Sequence, residues 1–316
     1  MLHSHFSRIF KAFALLILML PGQSWAAPLS YDLKPQLIAE DTYLLQGRLE
    51  DFSRGNGGNI VNTAFIVTRD GVVVFDTGPS FRYGKAMRQA IAQVTDQPVL
   101  HVFNSHHHPD HFLGNQAFAD GTIWALPDTG RLMAEQGGAF SDNMYRLVGD
   151  WMRATEMQLP NRPLQVDRLQ VGEHRLRFFP MTGHTGADLV MLDETTGVLF
   201  AGDMVFYQRA LTTPQTPGLA VWLRDLDAIA AIPHRLLVPG HGPAVPDGSA
   251  IGQMGDYLRW LDLTLRSAAE RGMSMTELMK IPFDARFAEV ALRRHEFIRT
   301  VAHLYPRYEE AVFQKQ

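Results

Sequence analysis

The segment Asn104-Ser105-His106-His107-His108-Pro109-Asp110-His111 follows directly on the apolar run Val99–Phe103 and constrains this chain more than any other stretch. Four groups able to ligate a metal, His106, His108, Asp110 and His111, fall within six residues. In an extended stretch alternate side chains share a side, so His106 and His108 point together while His107 points away and is read as structural. A fold that accepts this sequence must end a strand here, leave that end open, and bring further ligands to it from elsewhere in the chain.

Three other segments supply such ligands, each at an expected strand end and each beside glycine: His184 in Gly183-His184-Thr185-Gly186, Asp203 in Ala201-Gly202-Asp203, and His241 in Gly240-His241-Gly242. Glycine lets the backbone turn sharply and approach closely, so side chains from separate strands can converge. Taken singly, His184 or His241 reads as a hydrogen-bonded loop histidine and Asp203 as a helix N-cap. Beside the 106–111 cluster, the metal reading displaces these. The chain contains no cysteine, so thiolate ligands, thiol nucleophiles, iron–sulfur clusters and disulfides are excluded and the site must be built from imidazole and carboxylate.

The elements around these ligands alternate in an α/β order. Thr42–Leu45, Ile60–Val67 and Val72–Phe75 read as strands, with Asp70-Gly71 as the hairpin between the last two. A helix opened by Ser80 carries Tyr83, Met87, Ile91 and Val94 on one face, and the strand Val99–Phe103 follows. Weaker helical spacing over residues 128–155 is expected to break at Gly137-Gly138. Strands are then expected over 164–171, 174–179, 189–192 and 198–201, followed by a helix near 221–232 and a strand over 235–238, which repeats the order of the first half. The tail is helical, with Met254, Leu258, Leu261 and Leu265 on one stripe, a capping box at Ser274 to Glu277, and Asp284 opening the last long helix.

Composition sets the broad class. With 46% hydrophobic and 20% charged residues the chain is globular, and a net charge of -4 argues against nucleic acid as a partner. Arg8 and Lys11 precede the apolar run 12–20, with Ser24-Trp25-Ala26 behind it. Residues 1–26 therefore read as a cleavable signal peptide, too short in its apolar part to span a bilayer. The mature chain, 27–316, reads as one domain with a C-terminal helical extension from about residue 249. It is expected to be periplasmic or secreted, without stable membrane insertion after cleavage.

The ordered set His106-x-His108-x-Asp110-His111, His184, Asp203, His241, together with Val72-Val73-Val74-Phe75-Asp76-Thr77-Gly78, resembles the metallo-β-lactamase superfamily. The resemblance implies an αββα sandwich of two mixed β-sheets flanked by helices, with metals along one edge. It implies that His106, His108 and His184 hold one zinc, that Asp110, His111 and His241 hold a second, and that Asp203 bridges them. Two Zn²⁺ per chain are expected, although such ligands also suit iron or manganese. The implied activity is hydrolysis of an ester, thioester, lactone or related bond of a small molecule by a metal-bridging hydroxide, with Asp110 handling its proton. Asp76 is implied as the buried acid that braces the 106–111 loop.

An Asp rather than a Cys at position 203 disfavours a dedicated β-lactamase. The stretch Asp203–Pro214 and the helical tail are similar to the quinoprotein relay system zinc metallohydrolases, which implies a functional link to a quinoprotein dehydrogenase. Two other classes compete: a mononuclear iron oxygenase of the persulfide dioxygenase type, against which the complete second set His111 and His241 argues, and a non-catalytic binding protein, which would have no need of a full ligand set. Arg209, shortly after Asp203, is expected to receive an anionic group of the substrate, and the glycine-rich loop 55–59 to act as a flap.

Overall fold

The computed structural model describes residues 29–314, and the expected leader, 1–26, lies outside the described residues. A seven-stranded sheet runs in chain order through β1 (Gln36–Ala39), β2 (Thr42–Leu45), β3 (Thr63–Val67), β4 (Val72–Phe75), β5 (Val99–Phe103), β6 (Thr122–Ala125) and β7 (Arg162–Pro163). Strands β1 to β4 pair antiparallel, whereas β4 to β7 pair parallel. A five-stranded sheet contains β8 (Arg168–Val171), β9 (His174–Met181), β10 (Asp188–Asp193), β11 (Val198–Phe206) and β12 (Leu236–His241). Its pairs are antiparallel except β11 with β12.

Both faces of each sheet are covered, which is why strands such as Val72–Phe75 are apolar throughout rather than alternating with polar residues. Val73 and Phe75 point into the layer between the sheets, where Phe75 meets Phe200 at 5.4 Å between ring centroids and Phe103 meets Phe178 at 4.8 Å. Val72 and Val74 point the other way, to α1 (Phe81–Ala92). Ser80 caps that helix by accepting from Tyr83 N, and Tyr83, Met87, Ala90 and Ile91 recur at the spacing that keeps one face buried. The short helix α2 (Pro109–Phe112) carries the histidine loop. Helix α3 (Pro127–Val148) lies on the same outer side as α1, through Met133, Met144 and Val148. The five-stranded sheet is covered by α4 (Leu219–Ala230), α5 (Ser249–Glu270), the short α6 (Met275–Leu278) and α7 (Arg293–Phe313), around Trp222, Leu258, Leu261, Phe297 and Tyr305. The result is an αββα sandwich.

Three expectations are corrected. Helix α3 passes through Gly137-Gly138 without a break, because Gly137 is a packing position: a Cβ there would strike Met157 Sδ and come within 3.2 Å of Phe112. Asp284 caps only a short 3-10 turn at Ala285–Phe287, and the last long helix starts at Arg293. Strand β11 runs on to Phe206, so Asp203 lies inside a strand, at a point where its register with β12 shifts around Gly202. That shift is a bulge, a device that re-aims a side chain without ending the strand.

The parallel pairs place the site. Phe75 at the end of β4 aligns with Phe103 at the end of β5, and Phe206 aligns with His241 at the end of β12. Asp76, the 104–111 loop, Asp203 and His241 therefore gather along one edge of the sandwich, and the loop after β9 adds His184.

Candidate metal centre

The seven expected ligands converge in two groups. His106, His108, His184 and Asp203 each place a donor atom within 4.8 Å of the others, and so do Asp110, His111 and His241. In the first group His184 Nε2 lies 3.0 Å from His108 Nδ1 and 3.4 Å from Asp203 Oδ2, while His106 Nε2 is 3.9 Å from the same oxygen. In the second, Asp110 Oδ2 lies 3.4 Å from His241 Nε2 and 3.7 Å from His111 Nε2. Asp203 turns its other oxygen, Oδ1, to the second group, 3.2 Å from His111 Nε2 and 3.3 Å from His241 Nε2. One carboxylate thus faces both groups with a different oxygen toward each.

The outward nitrogens of four imidazoles are held. His241 Nδ1 donates to the Ile60 carbonyl at 2.8 Å, so its Nε2 faces inward as a lone pair. His111 Nδ1 meets Asp76 Oδ2 at 2.7 Å, His106 Nδ1 meets Ser105 Oγ at 2.9 Å, and His108 Nε2 meets Gln215 Oε1 at 2.9 Å. Such contacts fix which nitrogen is left to ligate. At the centre, His106 Nε2, His111 Nε2 and Asp203 Oδ1 are buried without a hydrogen-bond partner. Each unsatisfied atom costs about 1–3 kcal/mol, so a cluster of them facing one another fits cations as the missing partner.

Protonation follows the same logic. Burial, reinforced by neighbouring imidazoles, holds His106 and His108 well below the ordinary histidine range, and burial lowers His184 to about 3. These three are neutral, the form that ligates. Burial resists charge on Asp203, yet His241 and His111 hold its carboxyl well below its usual range. Burial also opposes charge on His111, but Asp203, Asp110 and Asp76 outweigh it and raise that imidazole well above its usual value. A site that draws a proton onto His111 in this way is a site short of positive charge.

Local sequence explains how the ligands are aimed. Asp76 adopts φ +57, a left-handed conformation that Asp tolerates better than most residues, and from there accepts from Ser105 N and Ser105 Oγ at 2.7 Å each as well as from His111. Gly240 is required because a Cβ there would collide with the Asp203 carboxylate. The His184 turn is tied by Asp188, which accepts from His184 N, Thr185 N and Thr185 Oγ1 at 3.1, 2.9 and 2.7 Å. His107 is buried against Phe140 and joins neither group.

A cavity of about 240 Å³ opens over His108, Asp110, Asp203 and His241. Phe52, Ile60 and Phe140 give it apolar surface, and Gln215, Arg299 and His303 line it too. Sequence reasoning missed Ser105, Asp188, Gln215, Arg299 and His303. Ser105, next to His106, and Asp188, within one turn of His184, carried a local signal. Arg209, expected to receive an anionic group, also lines the cavity, with its side chain 2% exposed and paired with Glu296 at 3.5 Å. The expected flap is pinned as well: Tyr31 Oη donates to Gly57 O at 2.6 Å, Trp151 Nε1 donates to Arg54 O at 2.9 Å, and Asn56 to Gly58 are buried.

Two mixed sheets sharing an edge lined with imidazole and carboxylate define an αββα metallohydrolase class. The family model described as the metallo-beta-lactamase superfamily matches residues 56–241, and the chain belongs to that superfamily. Its members, sulfatases and β-lactamases included, are metal-dependent hydrolases. A metallo-β-lactamase from Pontibacter korlensis is similar in structure at 20% identity and TM-score 0.59, covering 72% of this chain and 99% of its own. One from Erythrobacter litoralis is similar at 18% identity and TM-score 0.56, covering 72% and 96%. The stereoselective inverting sec-alkylsulfatase Pisa1 from Pseudomonas sp. is similar at 16% identity and TM-score 0.66, over 87% of this chain and 50% of its own. At these identities the likeness concerns the fold. No curated protein sequence matches significantly.

Proposed function

We propose that this chain is an exported dinuclear zinc hydrolase that cleaves an ester, thioester, lactone or related bond of a small molecule. The observation that carries the reading is Asp203, with Oδ2 toward one histidine group and Oδ1 toward the other. His106, His108 and His184 would hold one ion and Asp110, His111 and His241 the other, with Asp203 between. When bound, such a pair supplies a water ionised near neutral pH and positive charge beside a developing oxyanion.

The protein's own groups do the rest. Asp110, buried at the cavity floor beside His241, offers the carboxylate that takes a proton from the attacking water and passes it to the leaving group. Phe52, Ile60 and Phe140 remove water from the substrate's body, and Gln215 keeps His108 in the tautomer that leaves Nδ1 facing inward. The leader at 1–26 supports export to the periplasm or beyond, and the stretch Asp203–Pro214 supports a place beside a quinoprotein dehydrogenase. A complete second ligand set supports two ions over the single iron of an oxygenase.

A screen of ester, thioester, lactone, sulfate, phosphodiester and β-lactam substrates tests the reading. Asp110→Asn is expected to lower turnover by about 10²–10⁴-fold on whichever bond is cleaved. Full activity in that variant, or no hydrolysis of any substrate by zinc-loaded protein, contradicts it.

A further inference from the structure

Part of the cavity wall comes from outside the segment that matches the family. Arg299 and His303 sit one turn apart on α7, beyond residue 241 where the match ends, and line the same cavity as Asp110 and His241. Behind them Glu296 is buried against two arginines. Arg209 Nη2 is 3.5 Å from its Oε1, and Arg299 Nη1 is 3.2 and 3.1 Å from its two oxygens. One carboxylate thus answers two guanidinium charges and leaves one in excess. Arg209 is shut in, with Nη1 on the Ala210 carbonyl at 3.1 Å, whereas the Arg299 side chain is 39% exposed and spends only Nη1 on Glu296. Asp51, which lines the cavity together with Asp110 and Asp203, faces His295 at 3.1 Å.

We propose that Arg299 selects the substrate by receiving a compact oxyanion carried on an apolar body, so that this enzyme acts on amphiphilic anions rather than on neutral esters. The proposal rests on the hydrolase reading above and adds the substrate class to it. A planar guanidinium suits carboxylate, sulfate and phosphate alike, through paired hydrogen bonds. Phe52, Ile60 and Phe140 meet the apolar body in the same cavity. The Arg209–Glu296 pair positions Arg299 from behind without touching the ligand.

Calorimetric titration of the purified protein with hexanoate, hexyl sulfate and hexyl phosphate tests this, using metal-loaded and chelated samples of wild type, Arg299→Met and Arg299→Lys. Wild type is expected to bind at least one of the three, and the best-bound headgroup identifies the natural anion. Arg299→Met is expected to weaken that binding about tenfold or more with metal content and melting temperature unchanged, and Arg299→Lys to fall between. Equal affinity in Arg299→Met, or no binding of any probe by wild type, overturns the proposal. The two readings fail separately. Binding that depends on Arg299 in a protein that takes up no metal sinks the hydrolase and keeps the anion seat, whereas metal-dependent turnover with Arg299-independent binding does the reverse.

Discussion

Asp203 shows how much chemistry one residue can carry here: a buried carboxylate is tolerable only if its charge is answered, and His241 and His111 answer it from one side while His184 and His106 crowd the other. The same dependence makes the braces behind the ligands testable. Asp76→Asn keeps the size and the left-handed backbone of Asp76 but removes the charged acceptor from His111 Nδ1. Its expected effect is a loss of metal affinity of about 10–100-fold with the fold retained, read by competition against a chromophoric chelator. Unchanged affinity would remove Asp76 from the site. At this scale the ligands were legible because each sits beside glycine or in the dense 106–111 cluster. Gln215 was not, because its contact with His108 spans 107 residues of chain and leaves no local trace. Arg299 was hidden for the same reason, since the cavity residues it lies beside, Asp110 and His241, are remote in sequence.

Among elements, burial decides what sequence spacing leaves open. Gly137-Gly138 looks like a helix stop, yet tertiary packing of Gly137 against Met157 and Phe112 keeps α3 whole. The expected end of β11 at Ala201 fell short because a bulge at Gly202 is invisible to period-two counting. Hairpin and helix-cap signals were read correctly at Asp70-Gly71, Ser80 and Ser274, where local chemistry suffices. Helix α7 is tied to the loop after β11 by the buried Glu296 and Arg209, with side chains 1% and 2% exposed. Glu296→Ala leaves a buried guanidinium unpaired and is expected to destabilise the fold by about 3–5 kcal/mol in urea unfolding. A loss under 1 kcal/mol would show that water reaches Arg209.

Strands β9 and β10 are joined by His174 Nδ1 and Asp193 Oδ2 at 2.8 Å, and this pair gives a pH signature. Burial opposes charge on both, but their contact raises His174 above 6.5 and lowers Asp193 below 3.8. The His174 contribution is fully present below 6.5 and is lost as pH rises through its raised value. The Asp193 contribution is present above 3.8 and is lost as pH falls through its lowered value. The stability difference between wild type and His174→Gln, both freed of metal, should therefore peak between these limits. A difference that does not change with pH would contradict the assignment.

For the whole molecule, two sheets, each containing parallel strands, pack face to face so that ligands from the strand ends of both reach one centre along a shared edge. The order of strands and helices made this arrangement legible from the α/β alternation, while the facing of the two sheets came only from the resemblance. With no cysteine in the chain, no disulfide ties the sheets together at this edge. Bound ions would do so, and their loss should be felt globally. Chelation is expected to lower the melting temperature, by less as pH falls, because the ligands must be neutral His and ionised Asp and their protonation weakens the metal binding that chelation removes. A melting temperature indifferent to chelator would speak against tightly held ions.

The central claim is that seven donors form two cation sites sharing Asp203, and elemental analysis of the purified protein tests it most directly. The account predicts about two zinc ions per chain, falling to about one in His241→Ala, since the second set loses a ligand while the first stays complete. A single iron per chain that survives His241→Ala unchanged would contradict it.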